Sequence, residues 1–389
     1  MKEKILFVIP RYGKTMHGGA EWHCRQIAEH VTEQYDVEVA TTKAVDYTTW
    51  RNDFKDDTEE LNGVLIRRFR NDRERAKDHA HTEANLRANV QDIGLNLKWI
   101  FDQGPLSTEL VEFLKNSHQN YKKIVVFQYL YTLNYMAIRA LPAEKLIFVP
   151  LAHDEPQVRY PIFRESFRKP AKIVYNSEVE YNLVKQVHHV QEKDGVVAGV
   201  GIEAPKRESV DVEAFKKKFG VNNYLVFIGR IDPAKRVDVL IQDFKLYKKN
   251  YPSDLKLVLV GKQVKEMKKH PDVVETGFVS EEEKYAALAG ALALVNPSPY
   301  ESLSLIVLES FFMHRPVIVN AYCDVLKYHC IKSNGGLWYE THLEFDEVVN
   351  YMLKNPSVSD KMGENGYVYA QEHYNWDVVL EKWFKVLES

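Results

Sequence analysis

The sequence has few cysteines and almost no net charge, and both shortages exclude classes of protein. Its 389 residues include three cysteines, which excludes a disulfide framework and favours a reducing compartment. The 52 basic and 55 acidic residues leave a net charge of -3, so the whole chain has no electrostatic preference for nucleic acid. We therefore expect no nucleic-acid partner. With 45% hydrophobic residues, the chain is also too apolar to be disordered.

Long hydrophobic runs are missing as well. No apolar stretch approaches the roughly 20 residues of a membrane-spanning helix. The run Ile5–Ile9 is too short for the core of a signal peptide. We therefore expect a cytoplasmic protein and leave open a peripheral contact with the inner face of the membrane. Residues 67–77 and 159–169 mix basic and aromatic side chains, a composition that fits a solvated face better than a lipid-binding surface.

Short β-rich runs alternate with longer helical patterns along the chain. Continuous apolar runs are typical of parallel strands that are covered on both faces. In the first half they are Ile5–Ile9, Asp36–Ala40, Val64–Phe69, Lys123–Phe127, Lys145–Val149 and Ala171–Tyr175. In the second half they are Tyr224–Ile228, Leu255–Val260, Ala291–Asn296 and Pro316–Val319, with helices predicted at Pro233–Lys249, Glu281–Ala289 and Leu303–Met313. Two successive βαβ systems predict an α/β protein with two doubly wound, Rossmann-like domains.

The segment between the two halves contains a dinucleotide-like glycine pattern that we reject. Gly199, Gly201 and Ala204 match the spacing Gly-x-Gly-x-x-Ala. That motif has to open a helix, yet Pro205 and charged residues follow it here. A linker between domains is the better interpretation. No such fingerprint stands at the N-terminus, which argues against a dehydrogenase.

The strongest chemical signal is the segment Asn296–Glu309. A strand ends, a loop carries Glu301, and a helix is predicted to begin near Leu303. The first amides of a helix have no partner within it, so Leu303–Leu305 would favour a phosphate. Glu301, and Glu309 about two turns into the helix, could accept hydrogen bonds from sugar hydroxyls. The alternative is a capped helix with two surface glutamates.

A second signal follows the first strand of the second half. Gly229 permits a tight turn, and Arg230 and Lys235 come after it. Ligands of such sheets bind at the carboxyl ends of the strands. Each charge-assisted hydrogen bond contributes about 1.5–3 kcal/mol, so two cations can stabilise a departing diphosphate. The alternative is a solvated basic turn.

Metal-binding patterns are not convincing. Cys323, His329 and Cys330 fit no zinc spacing, and we assign them to packing. No Asp-x-Asp motif stands in a strand-end loop. We expect neither a metal nor another cofactor.

Four motifs together resemble a known family. In chain order they are Gly18-Gly19-Ala20-Glu21 after the first strand, Gly229-Arg230 with Lys235, Glu301 with Glu309, and Asn334-Gly335-Gly336-Leu337. Their order and strand context resemble those of the retaining family 4 glycosyltransferases, which have a GT-B fold. The resemblance implies two Rossmann-like domains facing across a cleft. The expected boundaries are 1–200 on the acceptor side, 201–372 for the nucleotide sugar, and a helix over 373–389 that crosses back to the first domain.

The resemblance also implies roles for individual residues. Arg230 and Lys235 would hold the diphosphate, Glu301 the donor sugar and Glu309 the ribose hydroxyls. His153, after the strand Lys145–Val149, resembles the active-site histidine of the family. Further donor-binding residues would be Gly229, Phe278 and Val279 beside the base, and Ser302, Leu303, Ser304 and Leu305. Gly18 and Gly19 would allow close approach to the donor phosphate or the acceptor.

The implied activity is metal-independent transfer of a hexose-type sugar, with retention, from a UDP- or GDP-sugar. The acceptor would be a hydroxyl of a glycan or polyprenyl-linked molecule in cell-surface polysaccharide or glycoconjugate synthesis. Two segments depart from the family: Ser302-Leu303-Ser304 replaces Gly-Phe-Gly, and Asn320–Asp324 replaces a glycine-rich loop. They leave open a non-catalytic sugar-nucleotide-binding protein, or an epimerase or phosphorylase on the same fold.

Overall fold

The structure is a computed structural model that describes residues 2–16, 18–191, 195–264 and 270–389. Two compact units divide the chain. Unit 1 comprises Met1–Val200 and Val379–Ser389, and unit 2 comprises Gly201–Val378. Each unit contains one sheet with mainly parallel strands and helices between them. The predicted fold class, two doubly wound α/β domains, is confirmed.

Unit 1 contains an eight-stranded sheet. Its strands are β1 (Lys4–Val8), β2 (Asp36–Thr42), β3 (Thr58–Leu61), β4 (Val64–Phe69), β5 (Lys123–Phe127), β6 (Leu146–Val149), β7 (Lys172–Tyr175) and β8 (Gly195–Val197). Their order is β3-β4-β2-β1-β5-β6-β7-β8, and of these described strands only β3 runs antiparallel to its neighbour. Ile5 pairs with Val37 on one side and Lys123 on the other, so β1 is central.

Seven helices of unit 1 connect these strands. They are α1 (Gly19–His30), α2 (His79–Ala88), α3 (Ile93–Gln103), α4 (Thr108–Ser117), α5 (Thr132–Ala140), α6 (Arg164–Arg168) and α7 (Glu178–His188). Leu6 and Val8 of β1 pack in one core with Val126 of β5 and Trp99 of α3. The apolar run of β1 is buried because strands flank it and helices cover it.

Unit 2 contains a six-stranded, fully parallel sheet. Its strands are β9 (Tyr224–Ile228), β10 (Lys256–Val260), β11 (Val273–Gly277), β12 (Ala293–Asn296), β13 (Val317–Asn320) and β14 (Gly336–Tyr339). The order β11-β10-β9-β12-β13-β14 is that of a dinucleotide-binding Rossmann sheet. The direction of winding reverses between β9 and β12, and ligands of such sheets bind at the carboxyl ends of those strands.

The helices of unit 2 are α8 (Val212–Phe219), α9 (Val237–Asn250), α10 (Glu281–Gly290), α11 (Leu305–Phe312), α12 (Asp324–Ser333), α13 (His342–Lys354) and α14 (Pro356–Tyr374). Phe244 of α9 and Phe345 of α13 pack with Leu257 and Ile318 on one face of the sheet. The last helix, α15 (Trp376–Glu388), buries Trp383, whose indole donates to the carbonyl of Gly199 at 3.1 Å.

Two predicted helix starts are wrong, both at left-handed residues. Helix α9 begins at Val237, because Pro233–Lys235 form a separate 3₁₀ turn and Arg236 has φ +55°. Helix α11 begins at Leu305 rather than Leu303, because Ser304 has φ +67°. A residue with left-handed backbone geometry interrupts the helix. Serine and arginine rarely adopt this conformation, so the sequence does not predict it at either position.

Candidate functional site

The cations Arg230 and Lys235 lie in the loop that follows β9, and Asp232 organises that loop. One oxygen of Asp232 accepts hydrogen bonds from the amides of Ala234 at 2.6 Å and Lys235 at 3.3 Å. Its other oxygen pairs with the guanidinium of Arg230. Asp232 is buried, whereas Arg230 is exposed. Asp232 was not predicted from the sequence, although an aspartate before Pro233 is a recognisable turn signal.

The loops after β9 and β10 touch through two glycines. A Cβ on Gly261 would lie 2.0 Å from the carbonyl oxygen of Gly229, and Gly261 has φ +136°. The amide of Ile231 also donates to the carbonyl of Lys262 at 2.9 Å. These contacts fix the start of the cation-bearing loop, so glycine is required at position 261.

The loops after β9 and β12 meet at an ion pair. Nζ of Lys235 lies 2.6 Å from Oε1 of Glu301, and both side chains are largely buried. The two strands flank the reversal point of the sheet. The structure therefore brings together two residues that the sequence analysis placed in one site from motifs 66 positions apart.

The segment Ser302–Ser304 is fastened from both sides. Asn296 donates to the hydroxyl of Ser304 at 3.0 Å. Nε2 of His329 lies 2.8 Å from the carbonyl oxygen of Leu303, and Nδ1 lies 3.0 Å from the hydroxyl of Tyr369. A carbonyl can only accept, so Nε2 carries the proton and Nδ1 accepts from Tyr369. Burial lowers the pKa of His329 to about 4, which keeps this ring neutral at pH 7.

His329 therefore has a more specific role than the packing to which its sequence position was assigned. Cys323 and Cys330 are buried free thiols, as the packing interpretation expects. Across the described ranges, no three His, Cys, Asp or Glu side chains are grouped to hold a metal ion.

The first turn of α11 starts beside this fastened segment. The amide of Val307 donates to the carbonyl of Ser304 at 3.1 Å. The earlier amides of a first turn have no partner inside the helix and lie at its positive end. Of the predicted phosphate donors, Leu305 is in the helix, whereas Leu303 and Ser304 precede it. An anion would therefore meet the helix start at Leu305.

Glu309 lies in the second turn of α11 and is buried against a lysine of α10. Nζ of Lys284 lies 3.0 Å from Oε1 of Glu309 and 2.6 Å from Oε2 of Glu281. Burial raises the pKa of Glu309, and Lys284 opposes this shift. Burial also disfavours the charged form of Lys284. The carboxylates of Glu309 and Glu281 outweigh this effect, so the pKa of Lys284 is raised. Lys284 was not predicted from the sequence, because it belongs to no recognisable motif.

An aromatic side chain is exposed where β11 ends. Phe278 is 69% exposed and Val279 is half-buried. The next helix, α10, starts immediately afterwards with a capping box formed by Ser280 and Glu283. An exposed phenyl ring held next to a capped helix offers a flat apolar surface.

The glycine turn of unit 1 is built around a carboxylate. Gly18 caps α1 and Gly19 is its first residue. A Cβ on Gly18 would lie 2.0 Å from Oε2 of Glu21, so glycine leaves room for this carboxylate. Glu21 is buried and pairs with Arg11 at 2.5 Å, and Arg11 also donates to the carbonyl of Val45.

His153 lies in the loop after β6, where Glu155 is near its ring and Glu180 holds the backbone. Its Nδ1 lies 3.6 Å from Oε1 of Glu155. The amide of Ala152 donates to Glu180 at 2.5 Å, and Glu180 also accepts from the amide of Asn176 at 2.7 Å. Burial raises the pKa of Glu180 to about 8. The predicted site residues thus form two groups: Gly18, Gly19 and His153 in unit 1, and the others in unit 2.

Neither basic-aromatic stretch forms an exposed aromatic surface. Arg67 pairs with Glu38 at 2.6 Å, while its neighbour Arg68 is buried and pairs with Glu59. The aromatic residues of the second stretch, Tyr160, Phe163 and Phe167, are buried in the core of unit 1. In the part of the chain that the structure describes, no helix has the length and apolar composition needed to cross a bilayer.

Comparisons with known proteins agree with this geometry. Residues 211–369, most of unit 2, match the family model of the group 1 glycosyl transferases. No curated protein matches the chain by sequence.

Three solved structures share the fold of the whole chain. HepE from Anabaena, in complex with UDP-glucose, is 15% identical over 99% of both chains, with a TM-score of 0.70. Sucrose-phosphate synthase from Thermosynechococcus elongatus is 14% identical over 100% of this chain and 98% of that one, with a TM-score of 0.71. WaaG, a glycosyltransferase involved in lipopolysaccharide biosynthesis, is 15% identical over 97% and 98%, with a TM-score of 0.65. The chain therefore has the GT-B fold that these proteins share.

Proposed function

We propose that the protein is a retaining family 4 glycosyltransferase that uses a nucleotide diphosphate sugar. The observation that carries this proposal is the 2.6 Å contact between Lys235 and Glu301. It joins a cation suited to a diphosphate with a carboxylate suited to sugar hydroxyls, at the reversal point of the sheet. The group 1 family match covers both residues and the first turn of α11.

Different residues of unit 2 would bind different parts of the donor. Arg230, Lys235 and the helix start at Leu305 would take the diphosphate. Each charge-assisted hydrogen bond contributes about 1.5–3 kcal/mol, so together they stabilise the charge that develops as the diphosphate leaves. Glu301 would bind the donor sugar once the phosphate draws Lys235 away from it. Glu309 would accept hydrogen bonds from the ribose, and the base would stack on Phe278.

The chemistry needs no dedicated base on this route. The acceptor hydroxyl attacks from the face that the diphosphate leaves, and a phosphate oxygen takes the proton. The bond from the anomeric carbon to phosphate breaks as the bond to the acceptor oxygen forms. The anomeric configuration is retained, and the cations replace a divalent metal. His153 would be the active-site histidine, and Gly18 and Gly19 would allow the donor phosphate or the acceptor to approach.

The similar solved structures suggest which donors and acceptors to test first. A UDP-sugar is the first donor to test, because the similar HepE structure contains UDP-glucose, and a GDP-sugar is the second. The acceptor would be a hydroxyl of a glycan or polyprenyl-linked molecule. WaaG supports a role in cell-surface glycan synthesis, in the cytoplasm or at the inner face of the membrane.

The test has two stages. Thermal shift against a panel of UDP- and GDP-sugars should identify one binder, because a ligand at 100 times its Kd adds about 2.7 kcal/mol of stability. That donor is then incubated with oligosaccharide and polyprenyl-phosphate acceptors. Free nucleotide diphosphate should appear only when an acceptor is present, and NMR of the product should show the donor's anomeric configuration.

Other results would identify the alternatives. Donor binding without turnover on any acceptor would favour a non-catalytic binding protein. Conversion of the donor sugar without an acceptor would favour an epimerase. If no nucleotide sugar shifts the unfolding temperature, the proposal is wrong.

A further inference from the structure

Unit 2 contains a second polar pocket on the face of the sheet that α9 and α13 cover. The cavity has a volume of about 210 Å³ and lies between the first turns of α9 and α13 and the carboxyl ends of β13 and β14. Glu309 and Lys284, on α11 and α10, are not among its lining residues. The pocket is therefore separate from the pair assigned to the donor.

Four polar side chains that line this pocket have no hydrogen-bond or ion-pair partner among the described residues. Among the described residues, none makes a hydrogen bond or an ion pair with the hydroxyl of Tyr339 or with the side chains of Arg236, Asp243 and His342. Tyr339 is only 6% exposed. Buried polar groups in folded proteins nearly always have a hydrogen-bond partner. The ring of Tyr339 is thus buried while its hydroxyl opens on the cavity without a protein partner, where a ligand can form a hydrogen bond with it.

These groups also face one another across the cavity. Burial raises the pKa of Asp243, and His342 and Arg236 oppose the shift. The pKa of Tyr339 is raised, mainly by burial and to a smaller extent by Asp243, while Arg236 opposes the shift. Each group is close enough to influence the others, yet too far away to pair with them. The distance between them is the space a ligand would fill.

The backbone at Arg236 supports the same interpretation. Its φ of +55° lies in the left-handed region, which costs a non-glycine residue about 1–2 kcal/mol. Strain of this kind persists where a surrounding structure or a ligand site requires it. Here it ends the turn that carries Lys235 and leaves Arg236 on the pocket wall.

The lining selects a class of ligand. Arg236 is balanced by Asp243 and by Glu340 at the mouth, so the pocket does not offer the positive charge that a phosphate needs. The pocket has hydrogen-bond donors and acceptors close to one another, and a hydroxyl group of a ligand can pair with either kind. The volume equals that of about seven waters at about 30 Å³ each, which is less than a drug-sized ligand needs.

We infer that this pocket binds one neutral sugar ring, as a second carbohydrate site of unit 2. Asp243 would accept from ring hydroxyls, Arg236 would donate to them, and Tyr339 would do either. The inference does not depend on the proposed transfer reaction, because no lining residue is one to which that reaction assigns a role.

The test is saturation-transfer NMR with methyl glucoside, galactoside and mannoside, recorded with UDP present to occupy the proposed donor site. At least one glycoside should bind, and its Kd should rise about threefold to tenfold in Tyr339→Phe, which loses the hydroxyl, and in Asp243→Asn, which loses the charge and one of two acceptor oxygens. Asp238→Asn is the matched control: it is exposed on the same helix, and its Kd should be unchanged. Tyr339→Phe keeps the ring that packs on Phe345, so its fold is retained.

Three results would overturn the inference. One is the absence of binding by every glycoside at concentrations up to about 50 mM, well above the millimolar Kd of a 4 kcal/mol interaction. Another is binding that Tyr339→Phe and Asp243→Asn both leave unchanged. Selective binding of glucose 6-phosphate would also contradict it, because it would show an anion site. UDP binding, measured separately by calorimetry, reports on the proposed donor site alone.

Discussion

Lys284 and Glu309 form a largely buried ion pair, with 3.0 Å between Nζ and Oε1. The two residues come from the consecutive helices α10 and α11. Burial would disfavour the charge on either residue if the other were absent. Burial raises the pKa of Glu309 and Lys284 opposes that shift, which favours the ionised carboxylate that accepts hydrogen bonds. Lys284 is then a positioning residue for the proposed ribose contact.

Replacing Lys284 with methionine should weaken UDP binding at least tenfold at pH 7.5. Without the lysine the pKa of Glu309 rises further, and a protonated carboxyl accepts hydrogen bonds less well. Affinity should therefore recover as the pH is raised, whereas the affinity of the unmodified protein should not. Calorimetry from pH 7 to pH 9 measures both. Lys284→Arg should retain binding, and equal affinity of the methionine variant at every pH would contradict the assignment.

Replacing Arg230 or Lys235 with alanine should lower kcat/KM well over tenfold. Each variant loses a charge-assisted contact to the leaving diphosphate, and about 1.4 kcal/mol corresponds to one decade. Initial-rate kinetics with the donor found by thermal shift measure the effect. Lys249→Ala, an exposed lysine at the end of α9, is the control. Near-normal turnover in both site variants would refute their role.

Two substitutions of Asp232 should separate its two contacts. Asp232→Asn can still accept from the amides of Ala234 and Lys235, but it loses the charge that orients Arg230. We expect a lower kcat/KM with an almost unchanged Tm. Asp232→Ala loses the amide contacts as well and should cost a further 0.5–2 kcal/mol, about the value of a helix cap. Equal Tm values for the two variants would show that the turn does not need this side chain.

Stability should fall on acidification, in part through His329. Burial lowers its pKa from 6.5 to about 4, so the folded protein binds a proton less readily than the unfolded chain. The contribution of neutral His329 to the free energy of unfolding is fully present above about pH 6.5. It is lost as the pH falls toward 4. It amounts to roughly 3 kcal/mol at 1.36 kcal/mol per pKa unit. Urea unfolding of His329→Leu should show a smaller loss between pH 7 and pH 4.5, and an identical loss would contradict the assignment.

Chelation should leave turnover unchanged. The proposed mechanism neutralises the diphosphate with Arg230, Lys235 and the start of α11, so EDTA treatment should not alter kcat. Added Mg²⁺ should change it less than twofold, since no step waits on a divalent ion. Loss of activity that Mg²⁺ or Mn²⁺ restores would refute the metal-independent mechanism.

The sequence predicted the central strands and missed the marginal ones. Strands β1, β5, β9 and β12 are apolar and buried, which is why their runs were recognisable. Strand β3 is Thr-Glu-Glu-Leu at a sheet edge, and β11 at the edge of the other sheet has no fully buried residue, so neither has the continuous buried run of a central strand. Their pairing depends on the neighbouring strand rather than on their own composition.

The candidate site was predictable where motifs follow a strand, and not where a contact joins distant positions. Arg230 and Glu301 were found because each follows an apolar run. Lys284 and His329 act through contacts 25 and 26 positions away in the sequence, with Glu309 and Leu303. Only the folded chain reveals such pairs, because lone lysines and histidines are common on any helix.

The origin of α15 has a consequence for biosynthesis. Unit 1 takes most of its residues from the beginning of the chain, but Val379–Ser389 come from its end. The indole of Trp383 stacks on Phe127, with 6.4 Å between the ring centroids, in the interior of that unit. The portion translated first thus stays unfinished until Val379–Ser389 have also left the ribosome. A stop codon placed before Val379 would leave a cavity in unit 1 where Trp383 packs and would spare the contiguous unit 2.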